Sequence, residues 1–223
     1  MAATLIDTYR PAEYQALPHL DNAFDTFLER SPQHIIEEKM MEVFRKHQVF
    51  NELAVCLIHR HFDMADNEKL VEFGATSTPW VVRDENMMGG SIKPRSWVFK
   101  GGKMMPYEFG FNEWGQPAVY KDMPDKPAFY ADFNAILEEE GLNDLLGLTL
   151  LTERKKEGVV KVEKTFGKAN VVFTMADSWS VENAKVAIPA QWEYAPGIGD
   201  FVVPVKKMLC FSGCLCSRSP FIV

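Results

Sequence analysis

The segment Ser96–Lys100, Gly101-Gly102, Lys103–Tyr107 constrains this chain most. Two runs of strand-forming residues flank a two-residue turn in which both positions can take positive φ, the signature of a tight β-hairpin. A two-residue turn also fixes register, so paired positions should sum to 203. Phe99 then faces Met104, Val98 faces Met105 and Arg95 faces Glu108. A second hairpin is expected from Val159–Thr165 and Asn170–Met175 about Gly167-Lys168, with Val162 opposite Phe173 and Val160 opposite Met175. Lys161 and Glu163 alternate with these valines and are expected on a wet outer face.

Further strands are expected at Leu53–Phe62, Lys69–Phe73, Trp80–Arg83, Leu146–Thr152, Val186–Tyr194 and Phe201–Val205. Pro189 and Pro204 suggest sheet edges, because proline cannot donate to a ladder. Helical spacing appears earlier. Asp21 is expected to cap a helix to Arg30, with Phe24, Phe27 and Leu28 on one face. Ser31 and Pro32 read as N-cap and first helical residue of a second helix to about His47. Ala128–Glu140 forms a third helix, stopped by Gly141. The expected fold is therefore α+β: a curved antiparallel β-sheet or open barrel, with two N-terminal helices and one central helix packed on it. Residues 110–127, rich in Gly and Pro, are the expected long loop.

Composition excludes several classes. The chain has 223 residues, 47% hydrophobic and 25% charged, which suits a folded domain rather than a disordered one. A net charge of −7 argues against phosphate-backbone binding, so no nucleic-acid partner is expected. No apolar run reaches the ~18 residues of a membrane span, so no membrane partner is expected either. Residues 1–11 carry Asp7 and Arg10 and no apolar leader, an expectation against secretion. Four cysteines are present, and three of them, Cys210, Cys214 and Cys216, crowd near the C-terminus rather than framing loops. That spacing points to a reducing, cytoplasmic setting. Cys56 reads as a small buried hydrophobe. The Cys-x3-Cys-x-Cys cluster offers three thiolates but no fourth metal ligand nearby. We expect one domain over residues 1–206 and a Cys-rich tail over 207–223, either loosely ordered or foreign to the domain. The oligomeric state is not encoded in any of these features.

The chemically suggestive stretch is Leu57-Ile58-His59-Arg60-His61-Phe62. On a continuous strand, His59 and His61 share a face about 6–7 Å apart. Leu53, Val55 and Leu57 would lie on that face, and Arg60 on the other. Three readings stay open. The pair can chelate a metal with a carboxylate from Glu68, Glu72 or Glu108. One ring can act as general acid or base with the other orienting it. Both can instead be satisfied structural histidines. Glu108 has a plain explanation as the cross-strand partner of Arg95. If it turned toward the histidines, Arg95 would lose that partner.

His59-x-His61, followed by Glu68 and Gly74, is similar in outline to the first motif of the cupins, which implies a metal held in a barrel. The acid stands farther from His61 than in that motif, Leu53 replaces the leading glycine, and no later Pro-x-Gly…His motif supplies a last ligand. The stretch from Leu57 to Met64, with Leu70-Val71-Glu72, resembles a class of small fungal proteins of unassigned activity. That likeness implies no transferable site.

The functional expectation is a protein that binds a small apolar or aromatic molecule in the sheet's concavity. Turnover would be cofactor-free isomerisation or hydrolysis by His59 and His61, with Arg60, Arg95, Glu108 and Trp114 contacting substrate. The alternatives are a non-catalytic interaction protein and a cupin-like metalloprotein. Exposure discriminates: a catalytic pair needs at least one ring open to a pocket.

Overall fold

Gly101 and Gly102 both take positive φ (57° and 72°), and the hairpin they close is the longest in the molecule. The computed structural model describes residues 6–81, 89–152, 159–176, 187–196 and 202–211. Five α-helical segments are α1 Pro11–Gln15, α2 Leu20–Arg30, α3 Gln33–Ile35, α4 Met41–His47 and α5 Pro127–Glu140, with a π-helical turn at Ile36–Met40 joining α3 to α4. The strands are β1 Leu53–Leu57, β2 Glu68–Phe73, β3 Thr76–Val81, β4 Gly90–Lys100, β5 Lys103–Glu113, β6 Leu146–Leu150, β7 Val159–Phe166, β8 Ala169–Ala176, β9 Ala187–Pro196 and β10 Val202–Phe211.

These ten strands close a barrel in the order β1-β6-β4-β5-β2-β3-β8-β7-β10-β9. The α+β architecture is as expected, with two refinements. The sheet closes rather than staying open, and β2–β5 and β7–β10 run parallel while the other neighbours are antiparallel. The closing seam is short: β9 meets β1 only at Val55↔Trp192 and Cys56↔Gln191. Pro189 lies outside that seam, and Pro204 lies outside the β7–β10 pairing at Met208–Cys210, so neither proline breaks a ladder on that side. Closure removes the exposed edges that a ten-stranded sheet would otherwise present.

Helices cover the barrel wall made by β9, β1, β6 and β4. Phe27, Ile36, Met40, Phe44, Phe129, Phe133 and Leu137 pack there against outward-facing Leu53, Val55, Leu57, Trp97, Phe99, Leu146, Leu148 and Trp192. The Phe27 ring stacks on Trp192 at 5.3 Å between centroids. The inward side chains of the same strands form a second set. Tyr14 of α1 is buried among Ile58, Phe62, Leu70, Val98, Met105 and Tyr107, and fills one end of the interior.

Several local expectations are corrected. His19, not Asp21, precedes the first turn of α2, with no side-chain cap. Ser31 closes α2 in the left-handed region at φ 48° instead of opening the next helix, because Pro32 prevents the helix from continuing. The Gly141 stop of α5 forms as expected, at φ 64°. The second hairpin pairs Val162 with Phe173 and Val160 with Met175, as anticipated. The turn-rich segment starts later than expected, since β5 runs to Glu113. Residues 207–211 belong to β10 rather than to a tail. Cys214 and Cys216 lie outside the described residues, so the proposed three-cysteine cluster does too. No helix among the described residues is long and apolar enough to cross a membrane.

Candidate functional site

Away from the end filled by Tyr14 and its apolar neighbours, polar side chains line the barrel interior, on the strand face opposite the outward apolar set. Lys161 and Glu163 illustrate the point. Val160 and Val162 pack outward with Leu209, so Lys161 and Glu163 turn inward. Glu163 is buried, and the expected wet outer face of β7 is instead a wet inner one.

The register near Arg95 departs from the simple hairpin. The sum of 203 holds from Lys100↔Lys103 to Trp97↔Pro106, but Ser96 pairs with Glu108, leaving Arg95 and Tyr107 out of the pairing. This irregularity brings buried Arg95 and Ser96 together with the part-buried Glu108. Ser96 Oγ donates to Glu108 Oε2 at 2.6 Å and lies 3.0 Å from Thr149 Oγ1. Arg95 does not take Glu108 as its main partner. Its Nη1 pairs with Glu72, and its Nε stands 3.9 Å from Glu108 Oε2 with no hydrogen-bond partner. Tyr120 donates its hydroxyl to Glu72 Oε1 at 2.5 Å. Tyr120 reaches that position because Gly110 leaves room: a Cβ there would stand 2.3 Å from the tyrosine ring. The Asn112 side chain holds the loop by accepting from Val119 N and Tyr120 N and donating to Tyr120 O.

Glu108 does turn toward the histidines, and His61 Nε2 is 3.4 Å from its Oε1. The expected conflict does not arise, because Glu72 supplies Arg95 with a carboxylate. Burial opposes charge on Glu108, but the His61 contact, the Arg95 guanidinium and the Ser96 hydroxyl hold its carboxyl at about 2. Burial likewise opposes charge on His61, yet Glu108 and Glu163 raise its basicity above the ordinary histidine value. Asn170 Nδ2 lies 3.5 Å from the same His61 nitrogen.

His59 behaves differently. β1 ends at Leu57, so the strand alternation expected through Phe62 does not continue. The His59 ring turns inward, meeting His61 edge to face at 4.8 Å between centroids. The two rings thus come together, but inside the barrel and not on the outward face of Leu53, Val55 and Leu57. His59 Nδ1 lies 2.9 Å from Leu57 O, which fixes the proton on Nδ1 and leaves Nε2 as acceptor. Burial, with the neighbouring His61, lowers its basicity. Its Nε2 is 3.9 Å from Cys210 Sγ, and that thiol donates to Glu163 Oε2 at 3.1 Å. The ligand atoms of His59, Glu163 and Cys210 all lie within 4.8 Å of one another. Of the carboxylates proposed beside a His59–His61 chelate, only Glu108 reaches a histidine, while the other two are engaged elsewhere. Glu68 accepts from Ala65 N, Glu72 pairs with Arg95, and Glu108 contacts His61.

A cavity of about 200 Å³ opens where β2, β4, β6, β7, β8 and β9 meet, lined by Glu72, Arg95, Lys161, Val172, Thr174 and Gln191 among others. A chain of contacts runs inward from it, through Glu72, Arg95, Glu108, His61 and His59, with Tyr120 bonded to Glu72 from outside the cavity. Neither histidine is among the residues that line this cavity. The interior of this end is polar, unlike the apolar concavity expected.

Two other anticipated contacts lie outside the barrel interior. Arg60 binds the α1–α2 connection, donating from Nη2 toward His19 Nε2 (2.9 Å) and pairing with Asp63 and the Gln15 carbonyl. Trp114 is 85% exposed and borders a shallow outer groove with Gly90, Lys93, Tyr120 and Lys121. Sequence reasoning missed Tyr120, Ser96, Thr149, Asn170 and Glu163 as site residues, and grouped Cys210 with Cys214 and Cys216 instead of with His59 and Glu163. The available signal was polar alternation opposite apolar residues, which has the opposite meaning once a sheet closes.

Comparisons with protein-family models, with curated proteins and with solved structures found no match.

Proposed function

We propose that the protein binds a small polar molecule, of the class of hydroxy- or keto-acids, in the cavity at the open end of its barrel. The observation that carries this reading is the buried ionic interior adjoining that cavity. A barrel of this kind can be filled with apolar side chains, and burying charges costs several kcal/mol per ion (an order-of-magnitude figure) unless each is paired. Here Arg95, Glu72 and Glu108 sit inside, and Arg95 keeps one buried N–H without a partner. Arg95 and Lys161 suit a carboxylate, while Glu72, Thr174 and Gln191 suit hydroxyl or carbonyl groups. The volume is below the roughly 300–1,000 Å³ of ordinary ligand pockets, which limits the ligand to a small metabolite.

A second reading makes His61 and Glu108 an acid–base pair that turns the ligand over, with His59 beside them. The close approach of the two rings and the opposed shifts of His61 and Glu108 favour it.

The test is a ligand-observed NMR screen of the purified protein against small monocarboxylic, hydroxy and keto acids. A Val172→Trp variant, which fills the cavity from β8, should weaken any hit more than about tenfold. Equal binding by that variant, or no hit across the panel, overturns the proposal. Conversion of a bound acid by the wild type, lost in His61→Gln, would establish the second reading instead.

A further inference from the structure

We propose that His59, Glu163 and Cys210 form a binding site for a zinc-class divalent cation, separate from the cavity and independent of the ligand that fills it. Three elements supply the donors: the segment after β1, strand β7 and strand β10. Nitrogen, carboxylate oxygen and sulfur together are the donor set of a three-residue zinc site that keeps its fourth position for water.

Geometry supports this at each donor. Bonds of about 2.0–2.3 Å in a tetrahedron place neighbouring donor atoms about 3.5 Å apart. Cys210 Sγ lies 3.9 Å from His59 Nε2 and 3.1 Å from Glu163 Oε2. The third pair, His59 and Glu163, stands within the 4.8 Å that spans the set, so the Glu163 carboxylate has to swing inward by up to about an ångström to accept an ion. His59 is already oriented, because its Nδ1–H donates to Leu57 O and aims the Nε2 lone pair at the thiol. Ligating histidines are characteristically held by such a backbone contact.

In the metal-free cluster one thiol serves two neighbours. Cys210 has a single S–H, and the nearer carboxylate of Glu163 takes it. The buried Nε2 of His59 meets the same sulfur only at 3.9 Å, a long contact that competes for that one proton. An ion resolves this. Cys210 would release its thiol proton to solvent, and thiolate and carboxylate would together balance a divalent charge. His61 is no ligand in this arrangement, since its Nε2 faces Glu108.

The experiment uses the full chain, freed of metal by a chelator and titrated with Co²⁺ as the spectroscopic probe and then with Zn²⁺. The expected result is about one equivalent bound, with a thiolate-to-cobalt charge-transfer band and the intense visible bands of a four-coordinate ion. Cys210→Ser should abolish the charge-transfer band. His59→Gln and Glu163→Gln should each weaken Zn²⁺ binding by more than about 100-fold. His61→Asn and the Cys214→Ser/Cys216→Ser double variant should retain both band and affinity. Failure of the folded wild type to take up the ion refutes the site. So does a charge-transfer band that survives Cys210→Ser or disappears in the double variant. Should Cys210→Ser not fold, the His59→Gln titration decides: undiminished Zn²⁺ affinity there overturns the proposal.

Discussion

Replacing Glu108 by Gln isolates the charge at the centre of the barrel. The amide keeps the shape and can still accept from Ser96 Oγ, but the negative charge facing His61 and Arg95 is lost. A carboxyl held at about 2 instead of 4.5 corresponds, at about 1.36 kcal/mol per pH unit, to about 3 kcal/mol of native-state stabilisation near neutrality. The rise in His61 basicity expresses the same coupling, so the two are not added. Because the folded value is depressed, the contribution is complete above about pH 4.5 and drains away as pH falls toward 2. Urea denaturation followed by circular dichroism should therefore show Glu108→Gln less stable by about 2–4 kcal/mol at pH 7. The gap to wild type should narrow steadily between pH 5 and 3. The His61 ring, still buried but facing no carboxylate at Glu108, should lose basicity, as its ¹³C and ¹H shifts would report. A variant within about 0.5 kcal/mol of wild type at pH 7, or a gap independent of pH, would show that Glu108 carries no buried charge coupling.

Two further outcomes follow from contacts around the same site. Gly110→Ala places a Cβ 2.3 Å from the Tyr120 ring, so it should cost about 1–3 kcal/mol by overpacking. In a Tyr120→Gly background the same substitution should cost almost nothing, and an undiminished penalty there would mean that Tyr120 is not what Gly110 accommodates. Cys56 is buried against the Tyr107 hydroxyl (3.5 Å), and burial pushes its thiol up to about 12. Iodoacetamide at pH 8 should therefore leave the Cys56 peptide unlabelled until the protein unfolds, and mass spectrometry showing rapid native-state labelling would contradict the burial.

Local signals were legible where local physics decides the outcome. The Gly101-Gly102 turn, the Gly141 helix stop and the Val162–Phe173 pairing all depend on a few neighbouring residues and their allowed dihedrals. The α+β class followed from the mixture of helical and strand periodicities. The site was legible only in fragments. His59, His61, Arg95 and Glu108 are legible as candidates, and the turn of Glu108 toward the histidines is one of the alternatives left open, but the partner of Arg95 is not legible. Arg95 looked committed to Glu108 because a hairpin register describes two strands, whereas Glu72 arrives from β2 through barrel closure. Glu163 was read as a solvent-facing residue because alternation distinguishes two faces without saying which one is inside.

The sequence by itself determined the turns, the helix ends, the strand periodicities and the presence of two histidines one residue apart. Tertiary structure alone decided that the sheet closes, that its polar face becomes the interior, and that residues as distant as His59, Glu163 and Cys210 meet there. The reason is physical. Turn and helix signals are written in dihedral preferences within a few residues, while the sign of a face and the company of a charge depend on which strands become neighbours.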